Sequence, residues 1–230
     1  MKIKKFIFFI VEILFLSISF AEGFSAGLET RFAAGFGTEL KESELKKTVE
    51  NFKNNGFAAD EKPFCGLEAG IFARCQLPFY KPLGLQTDIN FLYNSGCGVT
   101  VTKSGLSDIK IKYSYNSIDL DLLITYGLEY KNVLFTFMLG PDVSFPVGPL
   151  NYSYTFMTEQ NSDYDIESKA IFGLTGGFSA GYRILKNTEA YALVKYLTDF
   201  NTLDYKNGSQ VNELLLRRAL SFGFGVRYIF

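Results

Sequence analysis

Eight stretches of this chain alternate large apolar side chains with small or polar ones at a period of two. After residue 21 no helical apolar stripe runs longer than a few turns, except inside one loop. Period two places alternate residues on opposite faces of a strand. In 24–38, Phe24, Ala26, Leu28, Phe32, Ala34 and Phe36 oppose Ser25, Gly27, Glu29, Arg31, Gly35 and Gly37. The pattern recurs in 64–77, 83–95, 117–128, 133–146, 171–184, 189–199 and 215–230. The segment 189–199 is the weakest, because Tyr191 and Leu193 fall on its polar side. The 24 Phe, 14 Tyr and 21 Gly belong with strands rather than with a helical bundle.

The connections sort by length. Segments 78–82, 129–132 and 186–188 are short, with turn chemistry. Segments 39–62, 96–116, 147–170 and 200–214 are long and polar, and long and short alternate strictly. A soluble eight-stranded barrel has no reason to sort its loops this way. A membrane barrel does, with short turns on the periplasmic side and long loops outside. The expected fold is all-β: an eight-stranded antiparallel up-and-down transmembrane β-barrel over residues 22–230.

The N-terminus fits export. Lys2, Lys4 and Lys5 precede the apolar run Phe6 to Phe20, and Ser19-Phe20-Ala21 has the small-x-small form that a signal peptidase reads. Residues 1–21 read as a secretory signal cleaved after Ala21. As a membrane-anchoring helix the run is short, and no basic cluster follows it. The remaining chain carries more acid than base, which excludes a nucleic-acid footprint. Cys65 and Cys75 lie ten residues apart in one expected strand, about 33 Å if extended, too far to bond. They read as small apolar side chains; a bridge from one of them to Cys97 has no support.

Composition of the polar face decides where it points. It is rich in Gly and Ser with charges at intervals, which suits the crowded interior of a narrow barrel. The lumen acids are Glu29, Glu68, Asp88, Asp119, Asp121, Asp142 and Asp199; the bases are Arg31, Arg74, Arg183, Lys195, Arg217 and Arg227. This near balance predicts mutual pairing, because unpaired buried charge is costly. Asp119, Arg74, Arg183 and Arg217 fit the rims as well. Glu29 and Arg31 read as a structural pair rather than a gate. Tyr80, Tyr126, Tyr130, Tyr182 and Tyr228 fall near the turn side, where an aromatic girdle would sit.

The chain ends "SFGFGVRYIF". Phe222, Phe224, Val226, Tyr228 and Phe230 alternate up to a terminal ring. This resembles the C-terminal assembly signal of bacterial outer-membrane barrels and implies recognition by the barrel-assembly machinery. Residues 116–147, "NSIDLDLLITYGLEYKNVLFTFMLGPDVSFPV", look like the central hairpin of the small outer-membrane β-barrel family typified by PorT-like proteins, with Gly140-Pro141 on the aromatic strand. In plan the chain is also similar to OmpX-, OmpA- and OmpW-like barrels. The resemblance implies an eight-stranded outer-membrane barrel surrounded by lipid, and no particular activity.

The chain has no His, so the usual general base and commonest metal ligand are missing. No catalytic, cofactor-binding or metal-binding residue is expected, and Gly35-Phe36-Gly37 and Gly223-Phe224-Gly225 read as strand glycines rather than phosphate loops. Function then rests with loops or lumen. In the first loop Leu45, Val49 and Phe52 have helical spacing before Asn55-Gly56; a short helix and a solvated loop both fit. Tyr152, Tyr154 and Phe156 alternate, as if strands outrun the bilayer. Lys206-Asn207-Gly208-Ser209 reads as a tight hairpin turn. The expected role is structural or adhesin-like, with a largely plugged lumen and loops that contact an extracellular protein. The alternative is a narrow channel for ions or small apolar molecules.

Overall fold

The computed structural model describes residues 23–35, 44–78, 80–102, 108–156, 158–215 and 217–230. Ser19, Ala21 and the rest of the expected signal segment lie outside the described residues, as do Phe36 to Thr38 of the first expected strand. The elements run β1 (Phe24–Gly35), α1 (Glu44–Asn54), β2 (Ala58–Leu77), β3 (Tyr80–Thr102), β4 (Ile109–Tyr130), β5 (Val133–Phe156), β6 (Thr158–Ile166), β7 (Ile171–Leu185), β8 (Thr188–Asp199), β9 (Leu203–Asn207), β10 (Gln210–Leu215) and β11 (Arg218–Ile229).

Eight of these strands close a barrel: β1, β2, β3, β4, β5, β7, β8 and β11, each antiparallel to its neighbours, with β11 returning to β1. Closure satisfies the backbone groups that an open edge would leave bare in lipid. The chain is an eight-stranded antiparallel up-and-down transmembrane barrel. Leu215 belongs to β10 and not to the last barrel strand.

The outer wall is apolar. Phe222, Phe224, Val226, Tyr228 and Phe230 all face outward, Phe224 with 72% of its surface exposed, while Arg227 is buried. On β4 the outward positions Ile118, Leu122, Ile124, Tyr126 and Leu128 are exposed. On a tilted strand they cover about 25 Å of height, the thickness of a bilayer's apolar band. Tyr80, Tyr126, Tyr130, Tyr182 and Tyr228 are exposed toward the turn end, with the Tyr80 and Tyr126 rings 6.4 Å apart.

At the loop end the barrel continues as a taller sheet, ordered β10-β9-β6-β5-β4-β3-β2. Most of the expected loops are therefore strand: 96–116 supplies the ends of β3 and β4, 147–170 the end of β5 and β6, and 200–214 the hairpin β9–β10. Gly208 takes a positive φ of 63° in that hairpin. Here the polarity of the faces reverses. Val99, Val101, Ile111 and Tyr113 are buried inward; Lys110, Lys112 and Thr102 face out. A sheet that leaves lipid for water must make this exchange.

Inside the distal sheet Tyr113, Tyr152, Tyr164 and Tyr205 form a ring of contacts, with centroids 5.1 to 6.0 Å apart. Burial, then the neighbouring phenols, push the Tyr113 hydroxyl well above its usual range. The helix α1 packs against β2, β3 and β10, spanning the gap between the two outer edges of the sheet. Val49 is fully buried there, and Phe52 packs edge-on to Phe57 at 5.6 Å. Gly56, with φ at 77°, ends the helix in the left-handed region. Val49→Ala removes about two buried carbons, worth about 1.6 kcal/mol. It is expected to loosen α1, read as faster tryptic cleavage after Lys53 with the barrel still folded.

Candidate functional site

The inward positions form three tiers of charge. At the turn end Arg227 donates to both carboxylate oxygens of Glu189, each at 2.7 Å. Arg74 is buried beside them and donates to Thr136 Oγ1 at 3.0 Å. Phe72, Tyr191 and Leu193 fill the space above with a small apolar cluster. A Cβ on Gly225 would lie 2.3 Å from the Tyr191 hydroxyl, so the missing side chain is what lets this ring stand inside.

The middle tier is built around Lys195. Its Nζ donates to Glu29 Oε1 at 3.1 Å, to Asp121 Oδ2 at 3.4 Å and to Asp88. Tyr191 donates to the other Glu29 oxygen at 3.1 Å, and Arg31 spans Glu29 and Glu68. In the upper tier Arg217 donates to Asp119 at 2.9 Å and through Nε to Asp199 at 2.8 Å, with Asp142 at 3.5 Å.

Asp88, Asp121 and Asp142 are direct cross-strand neighbours on β3, β4 and β5. Like charges so placed repel. Lys195 and Arg217 reach across the lumen from the opposite wall to offset them. Register thus makes the row, and closure supplies its counter-charge.

The structure gathers Glu29, Arg31, Glu68, Asp88, Asp119, Asp121, Asp142, Lys195, Asp199 and Arg217 into one buried network. Arg183 is not part of it. It keeps inward parity but sits at the rim, 39% exposed, paired with Glu129 at 3.3 Å. Its cross-strand partner Glu189 is buried and bound to Arg227, so Arg183 turns to Glu129 instead. Arg74 is inside but forms no ion pair among the described residues; it bonds to a hydroxyl. Asp119 and Arg217 are buried rather than at the rim. Glu189 was missed, although it shares parity with Tyr191, Leu193 and Lys195. The near balance of charge does not hold locally: seven carboxylates share three cations in the middle and upper tiers.

Among the described residues the lumen keeps a space of about 30 Å³ beside Lys195 and Arg217 and one of about 10 Å³ beside Tyr191 and Arg227. Each is on the scale of one or two waters. Among the described residues no three His, Cys, Asp or Glu side chains converge in a geometry that would hold a metal ion. Cys65, Cys75 and Cys97 form no disulfide; Cys65 is exposed and the other two are buried.

Closed strand order, an apolar outer band and a packed polar lumen now stand together, and they match a solved structure. The outer membrane protein OprG from Pseudomonas aeruginosa is 14% identical, aligned over 91% of this chain and 96% of its own, with a TM-score of 0.50. The fold is that of an outer-membrane β-barrel. Neisserial surface protein A is 16% identical over 91% of this chain and 99% of its own, at a TM-score of 0.45. A major outer membrane protein from Thermus thermophilus is 13% identical over 89% and 99%, at 0.44. No known family profile and no curated protein matches the sequence. What sets this barrel's chemistry is therefore its own side chains: a lumen closed by ion pairs and a tall distal sheet.

Proposed function

We propose that this chain is an integral outer-membrane protein, exported by a signal peptide cleaved after Ala21. Its lumen is a structural plug, and its distal sheet contacts an extracellular protein in an adhesin-like role. The carrying observation is the filled lumen: Lys195 and Arg217 reach carboxylates on the opposite wall, Arg31 pairs with Glu68 on the adjacent strand, and the spaces beside them are on the scale of one or two waters. The exposed C-terminal strand Phe222 to Phe230 supports recognition by the barrel-assembly machinery. Kinship with PorT-like barrels, resting on Gly140-Pro141 in β5, belongs to this reading. For contact, β10 ends the distal sheet among the described residues and exposes Val211. An unpaired sheet edge offers backbone groups to a partner strand. With no His in the chain and the lumen carboxylates packed out of reach of a substrate, the reading is non-enzymatic.

The refolded chain in planar bilayers is expected to give no conductance steps. Reproducible steps would overturn the plug and favour a channel. The excess of lumen carboxylates then requires cation selectivity, since a narrow pore lined by one sign of charge concentrates the other.

A further inference from the structure

A groove of about 580 Å³ lies on the outer wall across β1 to β5, where the surface changes from apolar to polar. Its lower wall is Phe32, Leu67 and Tyr93, all lipid-facing and exposed. Its upper wall carries Lys110 and Lys112, both exposed and two residues apart on one face of β4. Gly96 and Gly98 of β3 form the floor and raise no side chain into it. The concavity has a backbone cause. Register slips between Lys62 and Leu67 on β2 and between Leu92 and Ser95 on β3, with Asn94 at a φ of 48°, bend both strands at one level.

The two lysines are uncommitted. Glu159 on β6 accepts a hydrogen bond from Ser153 at 3.4 Å, and among the described residues no carboxylate pairs with Lys110 or Lys112. Paired ammonium groups above an apolar channel match one kind of ligand end to end: a phosphate head with an acyl tail. The groove straddles the polarity switch, which is the depth of lipid headgroups in the leaflet on the loop side.

We propose that this groove is a binding site for an anionic membrane lipid, its phosphate held by Lys110 and Lys112 and its acyl chain laid along Leu67, Phe32 and Tyr93. The inference rests on the membrane reading above. A juxtamembrane lysine favours an anionic headgroup about fivefold at low ionic strength, and salt weakens the effect.

The test uses the refolded barrel in dioleoylphosphatidylcholine vesicles with spin-labelled phosphatidylglycerol or spin-labelled phosphatidylcholine. The motionally restricted fraction reports each lipid's association. With about fivefold from each of the two lysines, phosphatidylglycerol is expected to associate about 25-fold more strongly at low ionic strength. The double variant K110Q/K112Q should bring it to the phosphatidylcholine level, while K131Q/K186Q at the turn end leaves the preference intact. Inorganic phosphate at constant ionic strength should not displace it. Equal association in the wild type, selectivity that survives K110Q/K112Q, or displacement by free phosphate each overturns the lipid site. A sample with no restricted component for either lipid overturns the membrane reading as well, which separates the two failures.

Discussion

Lys195→Met is expected to destabilise the barrel by about 3–5 kcal/mol, the range for removing one partner of a buried ion pair. Lys195 is 2% exposed and touches Glu29, Asp88 and Asp121, none of which can move to water. The loss leaves three carboxylates facing one another with Arg31 alone nearby. Urea titration of the refolded protein in vesicles reads the effect, as does the temperature at which the folded band disappears from an unboiled gel. Adding Asp88→Asn and Asp121→Asn to Lys195→Met should restore much of the stability, because a neutral lumen of similar volume carries no unpaired charge. An unchanged urea midpoint for Lys195→Met would remove Lys195 from the centre of the network.

Leu139→Arg tests the opposite face. Leu139 is 57% exposed at the middle of the membrane-crossing part of β5. In a barrel surrounded by water, such an exposed substitution changes stability by about 0.5 kcal/mol or less. Facing lipid near the bilayer midplane, Arg costs about 2–4 kcal/mol. The comparison is the urea midpoint of Leu139→Arg against wild type in vesicles of one composition. Equal midpoints would mean that Leu139 does not meet hydrocarbon.

How much of this was legible beforehand differs between the two halves of the molecule. The eight barrel strands were readable because lipid outside and packed polar groups inside keep one parity over each crossing. The distal sheet was legible only in part, in the alternation of Tyr152, Tyr154 and Phe156 and the turn at 206–209; its β3 and β4 ends were not, although their alternation is present in Val99, Val101, Ile111 and Tyr113. On β4 the apolar parity changes between Tyr115 and Ile118 while the strand keeps its orientation. On β3 the apolar residues Ile89, Phe91, Tyr93, Cys97, Val99 and Val101 hold one parity throughout. There the irregularity around Asn94 turns the later ones from lipid to interior. Two strands reach the same reversal by opposite routes, and Lys110 and Lys112 made the segment look like a solvated loop.

The candidate site divides the same way. Inward parity picked out Glu29, Arg31, Asp88, Asp121 and Lys195 as lumen groups. Beyond the Glu29–Arg31 pair, which the structure contains, it gave no partners, since Lys195 and Glu29 are 166 residues apart. Arg183 had inward parity and lies at the rim, one of the two places the sequence allowed it.

By itself the sequence determined the strand period, the alternation of short and long connections, and the inversion that puts apolar side chains toward lipid. Those are local properties, set by each residue's neighbours along the chain. Only the tertiary structure decided which charges meet, how little space the lumen keeps, and where Lys110 and Lys112 stand above an apolar groove. These depend on register, on barrel closure and on bulges, which join residues that the chain holds far apart.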